Sequence, residues 1–145
     1  MTIYTIGFTK KSARKFFELV CGSGATRLVD VRLHNVSQLA GFAKRDDLIY
    51  FLERICQVEY VAEPLLAPTA ELLDQYRTMK IGWPRYEQEF RALMAQREIG
   101  QAIPPSLLEN AVLLCSEDGP ERCHRRLVAE YLARAWRDVE IRHLR

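Results

Sequence analysis

Between Leu113 and Leu132 the chain reads LLCSEDGPERCHRRLVAEYL, and a sequence with only three histidines and four cysteines places two cysteines and one histidine there. An ionised thiol is a nucleophile, an imidazole carries protons near neutral pH, and a carboxylate can activate water. Cys115, His124 and Glu117 are therefore the candidate catalytic set. Cys115 lies where an apolar strand gives way to a helix start, and there the helix dipole and a nearby arginine favour thiolate over thiol. The same cysteine also reads as an inert buried residue. Asp118 and Glu121 have the spacing of a capping box, which would occupy the free amides of the following helix.

Zinc requires cysteine or histidine ligands in a tetrahedral array. Cys115, Cys123 and His124 supply three, with His34 or His143 as a fourth, but seven residues separate the two cysteines, which is not a knuckle spacing. Adjacent Cys123 and His124 also diverge on an ideal helix: His124 shares the inward side of the stripe Leu127, Val128, Tyr131, Leu132, Ala135 and Trp136, while Cys123 turns away unless the first turn is loose. On this phase Arg125 falls at the flank and Arg126 points to solvent. No metal site is expected, and no cofactor is indicated.

These residues need a scaffold that brings them together. Ile3–Ile6 reads as a strand, with Thr9 as cap of a helix carrying Ala13, Phe16, Phe17 and Val20. Residues 27–33, RLVDVRL, form a buried strand, and Asp46 or Asp47 caps a helix with Leu48, Phe51, Leu52, Ile55 and Cys56 on one stripe. Val58–Val61 is a third strand, Thr69 opens a short helix through Tyr76, and Pro84 starts a longer one with Tyr86, Phe90, Leu93 and Met94. A strand over 111–115, a helix over 122–136 and a strand over 139–143 complete the chain. Strands separated by helices pair in parallel, so the expected fold is α/β: a single three-layer domain over residues 1–145 with a mainly parallel sheet flanked by helices.

In such a sheet the carboxyl ends of the strands share one rim, where ligands bind near the reversal of strand order. That rim receives Thr9, Asp30, Arg32, His34, Cys115, Glu117 and His143. Thr9, Asp30, Arg32 and Arg125 are the substrate-binding candidates, since arginine forks match phosphate. Asp30 reads equally as a structural partner of Arg32. Phe42, Trp83 and Tyr86, beside polar loops, are placed to stack on a ring or to anchor those loops.

Composition narrows the classes. At 145 residues, 48% hydrophobic and 28% charged, the sequence is ordinary for a globular domain, and its net charge of +2 does not by itself argue for nucleic acid. From Arg122 onward, however, seven arginines face three carboxylates, a local anion-facing excess. The start MTIYTIGF lacks a signal peptide's basic leader and apolar core, and no apolar run approaches membrane-spanning length, so a cytoplasmic protein without a membrane partner is expected. All four cysteines are then expected as thiols or thiolates, with Cys21 and Cys56 in packing roles.

The stretches IYTIGFT, LVDVRLHNVS followed by GFAK, EYVAEPLLAPT, LLCSEDGPERCHRRLVAEYL and IRHL, in this order, resemble the domain of unknown function 488 family. The resemblance implies a small bacterial or archaeal α/β protein of unassigned activity, its strongest motif carried by Cys115, Glu117, Cys123, His124 and Arg125. The family pattern has a histidine where this chain has Phe8, which leaves His34, His124 and His143 as the available imidazoles. A weaker local likeness is to rhodanese-type domains, which share a DVR strand end and a cysteine between strand and helix. Here Glu117 and Asp118 beside the thiol would oppose that chemistry.

Three readings follow. One is an enzyme performing hydrolysis or group transfer on a nucleotide or nucleic-acid substrate. The second is a noncatalytic nucleotide or nucleic-acid binding module using the same basic groups, and the third a buried network of Glu117, His124 and Arg125 that only fixes the strand-to-helix corner.

Overall fold

The computed structural model describes residues 1–36 and 40–145. Five strands, β1 (Thr2–Gly7), β2 (Arg27–Asp30), β3 (Glu59–Ala62), β4 (Ala111–Cys115) and β5 (Glu140–His143), form one sheet in the order β3-β2-β4-β1-β5. Every pairing is parallel, so all five carboxyl ends face one rim. The α/β architecture expected from alternating strand and helix patterns is what forms. The chain leaves β1, crosses to β2 and later returns to insert β4 between them, which makes the end of β4 the point where strand order reverses.

β4, AVLLC, is buried at every position because it is central and covered on both faces. Alternation divides the sheet. Ile3, Val29, Val31, Leu113 and Cys115 face one helical layer, formed by α3 (Ala70–Arg77), α4 (Trp83–Gln96), α5 (Ile99–Ala102), α6 (Pro105–Leu108) and α7 (His124–Ala135). Ile6, Leu28, Val112 and Leu114 face the other layer, formed by α1 (Ala13–Ser23) and α2 (Arg45–Phe51). The one-turn helices α5 and α6 are too short to display an apolar stripe and were not legible in the sequence. Among the described residues, no helix is long and apolar enough to cross a membrane.

Several local expectations are corrected. Ser12, not Thr9, caps α1: its side chain accepts from the Lys15 amide at 3.1 Å. Thr9 instead belongs to a turn in which Lys10 has φ 60° and the Thr9 amide donates to Ser116. Lys44 occupies the cap of α2 without a side-chain bond, and Asp46 and Asp47 lie inside its first turn, where their charges face the positive end of the helix dipole. The backbone then widens into a π-helical segment, Leu52–Cys56, which rotates the stripe and leaves Ile55 half exposed. β2 stops at Asp30 because the Asp30 carboxylate turns back to accept from the Arg32 amide at 3.1 Å. Ser37, part of the LVDVRLHNVS motif, lies outside the described residues.

The thiol expectation fails at Cys21 and Cys56. These residues, on α1 and the π-helical segment, stand 5.1 Å apart at Cα and are joined by a disulfide, within the ordinary range for such bridges. Helical stripes that bring two cysteines together look the same in sequence whether they pack or bond. Thiol titration of the unfolded, unreduced chain should therefore count two free thiols, and four after reduction. Reduction should cost about 2–4 kcal/mol of unfolding free energy, measured by denaturant titration; four thiols before reduction would refute the bridge.

Candidate active site at the end of the central strand

Cys115 ends β4 with its side chain on the α7 face and only 4% of its surface exposed. His124 opens α7 directly above it, 6% exposed. The imidazole Nε2 lies 2.6 Å from the Val31 carbonyl oxygen. A carbonyl only accepts, so Nε2 carries a proton, and Nδ1 is turned toward the Cys115 Sγ at 3.4 Å. The Phe90 ring, 5.4 Å away, packs against the imidazole. The sulfur also stands 3.7 Å from Nε2, so it lies beside the imidazole, slightly nearer Nδ1, and β4, α7 and the exit of β2 each supply one member of the group of thiol, imidazole and orienting carbonyl.

Cys123 is the residue at which helical phase misled. It is the N-cap of α7, with φ −140° and ψ 138°, so its side chain follows extended geometry and is free to turn inward. It is 3% exposed, and the Sγ atoms of Cys115 and Cys123 and a ring nitrogen of His124 all lie within 4.8 Å of one another. The looser first turn is the form observed, and Cys123 and His124 converge on one point despite being adjacent in sequence.

Burial pushes the Cys115 thiol up, but hydrogen bonds from Cys123 and the Ser116 amide, with the charge of Arg125, outweigh it and leave this thiol below its ordinary value. Cys123 moves the other way. Burial and then its donation to Cys115 raise it well above the usual range. The carboxylates expected to oppose a thiolate do not control it: Glu117 is exposed, and Asp118 is held by Lys11, Nζ to Oδ1 3.0 Å, which keeps the Asp118 carboxyl below the usual range.

Arg125 has no exposed surface, rather than lying at the helix flank. Its Nη1 donates to the Glu117 carbonyl at 2.7 Å, Nη2 to the Asp118 carbonyl at 3.4 Å, and Nε to the Thr5 hydroxyl at 3.4 Å. The corner network is therefore built from backbone oxygens, and the Glu117 carboxylate forms no ion pair in it among the described residues. The Thr5 hydroxyl in turn shares a hydrogen bond with His143 Nδ1 at 2.6 Å, and burial, followed by Arg125 and Arg145, lowers the His143 pKa. No capping box forms: Asp118 binds Lys11, and Glu121 pairs with Arg145. Arg126, expected in solvent, joins Glu87 and Glu130 and with Arg91 ties α4 to α7.

Asp30 lies on the opposite face of the sheet from Cys115. Its two oxygens accept from Arg32 Nε and Nη2 at 2.9 and 2.8 Å and from the Tyr60 hydroxyl at 2.5 Å. Arg32 Nη1 donates to the Ala43 carbonyl at 2.7 Å. The pair is buried and internally satisfied, although Arg32 also borders the cleft described next. Thr9 is exposed and contributes a backbone bond to Ser116.

A cleft of about 590 Å³, including its open mouth, has Cys115, Cys123 and His124 at its base. Tyr76, Trp83 and Tyr86 form one wall, with Trp83 stacked on Tyr86 at 5.2 Å, while Glu117, His34, Arg77 and Arg122 stand around it. Trp83 and Tyr86 were singled out by their position beside loops; Phe42 instead packs on Phe16 and Phe17 in the other layer. Tyr76 and Arg77 were missed. Leu73, Tyr76 and Arg77 follow helical i, i+3, i+4 spacing, and that spacing was the available signal for a face of α3 turned to the cleft. Thr9, Asp30, Arg125 and His143 are not among its lining.

The sequence profile of the family described as Domain of unknown function DUF488 matches residues 12–132, which includes the whole Cys115–Arg125 motif. The chain belongs to the DUF488 family. No curated protein and no solved structure matches it. In this DUF488 chain Gly7, at the end of β1 and in register with Cys115, has a physical role. A Cβ there would collide with the Glu117 carbonyl and stand 2.9 Å from Arg125 Nη1. Gly7→Ala should therefore push the loop off its arginine and cost about 1–3 kcal/mol by denaturant titration. A neutral substitution would show that the loop does not depend on this close approach.

Proposed function

We propose that this DUF488 chain is a thiol-dependent enzyme that performs group transfer or hydrolysis on a nucleotide or nucleic-acid substrate bound in the cleft. One observation carries the reading: the Cys115 Sγ stands 3.4 Å from Nδ1 of an imidazole whose other nitrogen is committed to the Val31 carbonyl. This is a nucleophile, a proton carrier and an orienting group, the three parts that nucleophilic catalysis needs. In the metal-free chain Cys115 attacks an electrophilic centre, its proton passes to His124 Nδ1, and the imidazolium returns that proton to the leaving group. Water, deprotonated by His124, then releases the bound group and restores the thiol.

The substrate class is supported by what surrounds the base. Tyr76, Trp83 and Tyr86 give a planar wall suited to a base, and Arg77 and Arg122 give cations suited to phosphate. Glu117 borders the same space and is the candidate for assisting water. Asp30 and Arg32 act in this reading by holding the exit of β2, and with it the Val31 carbonyl, rather than by touching substrate. Arg125 likewise positions the 116–118 loop. The noncatalytic binding reading keeps the wall and the arginines and dispenses with the thiol.

With chelator present, iodoacetamide followed by mass mapping should label Cys115 before Cys123, and His124→Ala should slow that labelling about tenfold or more. Cys123 labelling first, or a rate indifferent to His124, defeats thiol catalysis and favours the binding module. Binding of a fluorescent nucleoside monophosphate should weaken about tenfold in Arg77→Ala and in Arg122→Ala, equivalent to about 1.4 kcal/mol, and should fall with salt. Affinity unmoved by both substitutions and by salt defeats the nucleotide assignment.

A further inference from the structure

We propose that Cys115, Cys123 and His124 form a three-ligand site for a thiophilic divalent cation, zinc foremost, with its fourth position open to the cleft. The inference goes beyond the thiol reading, which describes the metal-free chain. Its basis is the convergence of three ligand atoms, all on residues at most 6% exposed and all within 4.8 Å of one another. With zinc–sulfur and zinc–nitrogen bonds of about 2.3 and 2.0–2.1 Å, tetrahedral ligand atoms stand about 3.5–3.8 Å apart. The Cys115 Sγ to His124 Nδ1 distance of 3.4 Å already approaches that edge, and the remaining adjustment is of the order of an ångström.

Two further features belong to metal sites specifically. A ligating histidine characteristically donates its other ring N–H to a carbonyl or carboxylate, which fixes the tautomer. His124 makes that bond to Val31 at 2.6 Å. The second is ligand direction: extended geometry at Cys123 lets two residues adjacent in sequence aim at one point, which a continuous helix forbids.

The chemistry of the fourth ligand follows from charge. Two thiolates cancel a divalent ion, and buried Arg125, with no carboxylate within ion-pair distance among the described residues, leaves one positive charge at the site. An anion is therefore favoured in the fourth position, hydroxide or an anionic group of a bound molecule, and the cleft in front carries Arg77 and Arg122 to draw it in. Borderline-soft ions accept this S₂N set, whereas magnesium and calcium require oxygen donors.

The test uses the full chain without a histidine tag and with its Cys21–Cys56 bridge intact. Cobalt(II), added anaerobically, should give thiolate-to-cobalt charge-transfer bands and intense tetrahedral d–d bands saturating at one ion per chain. Zinc should displace it, and bound zinc should block iodoacetamide labelling of Cys115. Cys123→Ser and His124→Ala should each weaken binding at least about a hundredfold. A pale octahedral spectrum without charge transfer in the wild-type chain would overturn the site whatever the variants do, as would charge-transfer bands that survive both substitutions. The thiol reading is judged separately by the chelator-treated labelling rates.

Discussion

A guanidinium with no exposed surface, that of Arg125, donates among the described residues to uncharged oxygens alone. A buried cation without a carboxylate is costly, and its hydrogen bonds to Glu117, Asp118 and Thr5 offset only part of that cost. Its field adds to the hydrogen bonds from Cys123 and Ser116 that hold the Cys115 thiol down against burial. The arrangement fixes the loop after β4 and demands glycine at position 7. Replacing Arg125 by lysine would keep the charge and lose the fork that spans two successive carbonyls.

From this anchor the site assembles in layers. Strand β4 supplies Cys115 and the exit of its parallel neighbour β2 supplies the Val31 carbonyl, with His124 brought beside both by α7. Lys11 neutralises Asp118 at the outer edge of the loop, so the acidic run SED does not set the potential at the sulfur. On the far side, α4 and α7 are clamped by the Glu87, Arg91, Arg126 and Glu130 cluster. That clamp fixes the distance between the aromatic wall and the thiol base, because Trp83 and Tyr86 ride on α4 and His124 on α7.

The parallel sheet, the placement of Cys115 at a strand end and the inward direction of His124 were legible because they depend on periodicity and element order. Three features were not. Cap geometry decided Cys123, and a cap one residue from a helix start reads in sequence as part of that helix. Burial decided Arg125, since a charged residue beside an apolar stripe is read as flanking until the carbonyls that satisfy it are known. The pairing of Asp30 with Arg32 was one of the two readings its LVDVR strand end offered, but Tyr60, thirty residues on, closing over the same carboxylate was not. Local pattern reports direction, whereas the partner that sets a polar residue's role arrives from elsewhere in the chain.

The division of the sheet into two faces has a redox consequence. The bridge between Cys21 and Cys56 lies in the α1 layer, and Cys115 and Cys123 lie in the α7 layer, with a continuous hydrogen-bonded sheet between them. Thiol–disulfide exchange needs sulfur to approach sulfur in line, and no such approach exists across a packed sheet. The folded chain therefore holds two pairs of sulfurs that do not exchange directly with each other. Without direct exchange between the two faces, a single polypeptide can hold an oxidised brace and a reduced pair of thiols at the same time.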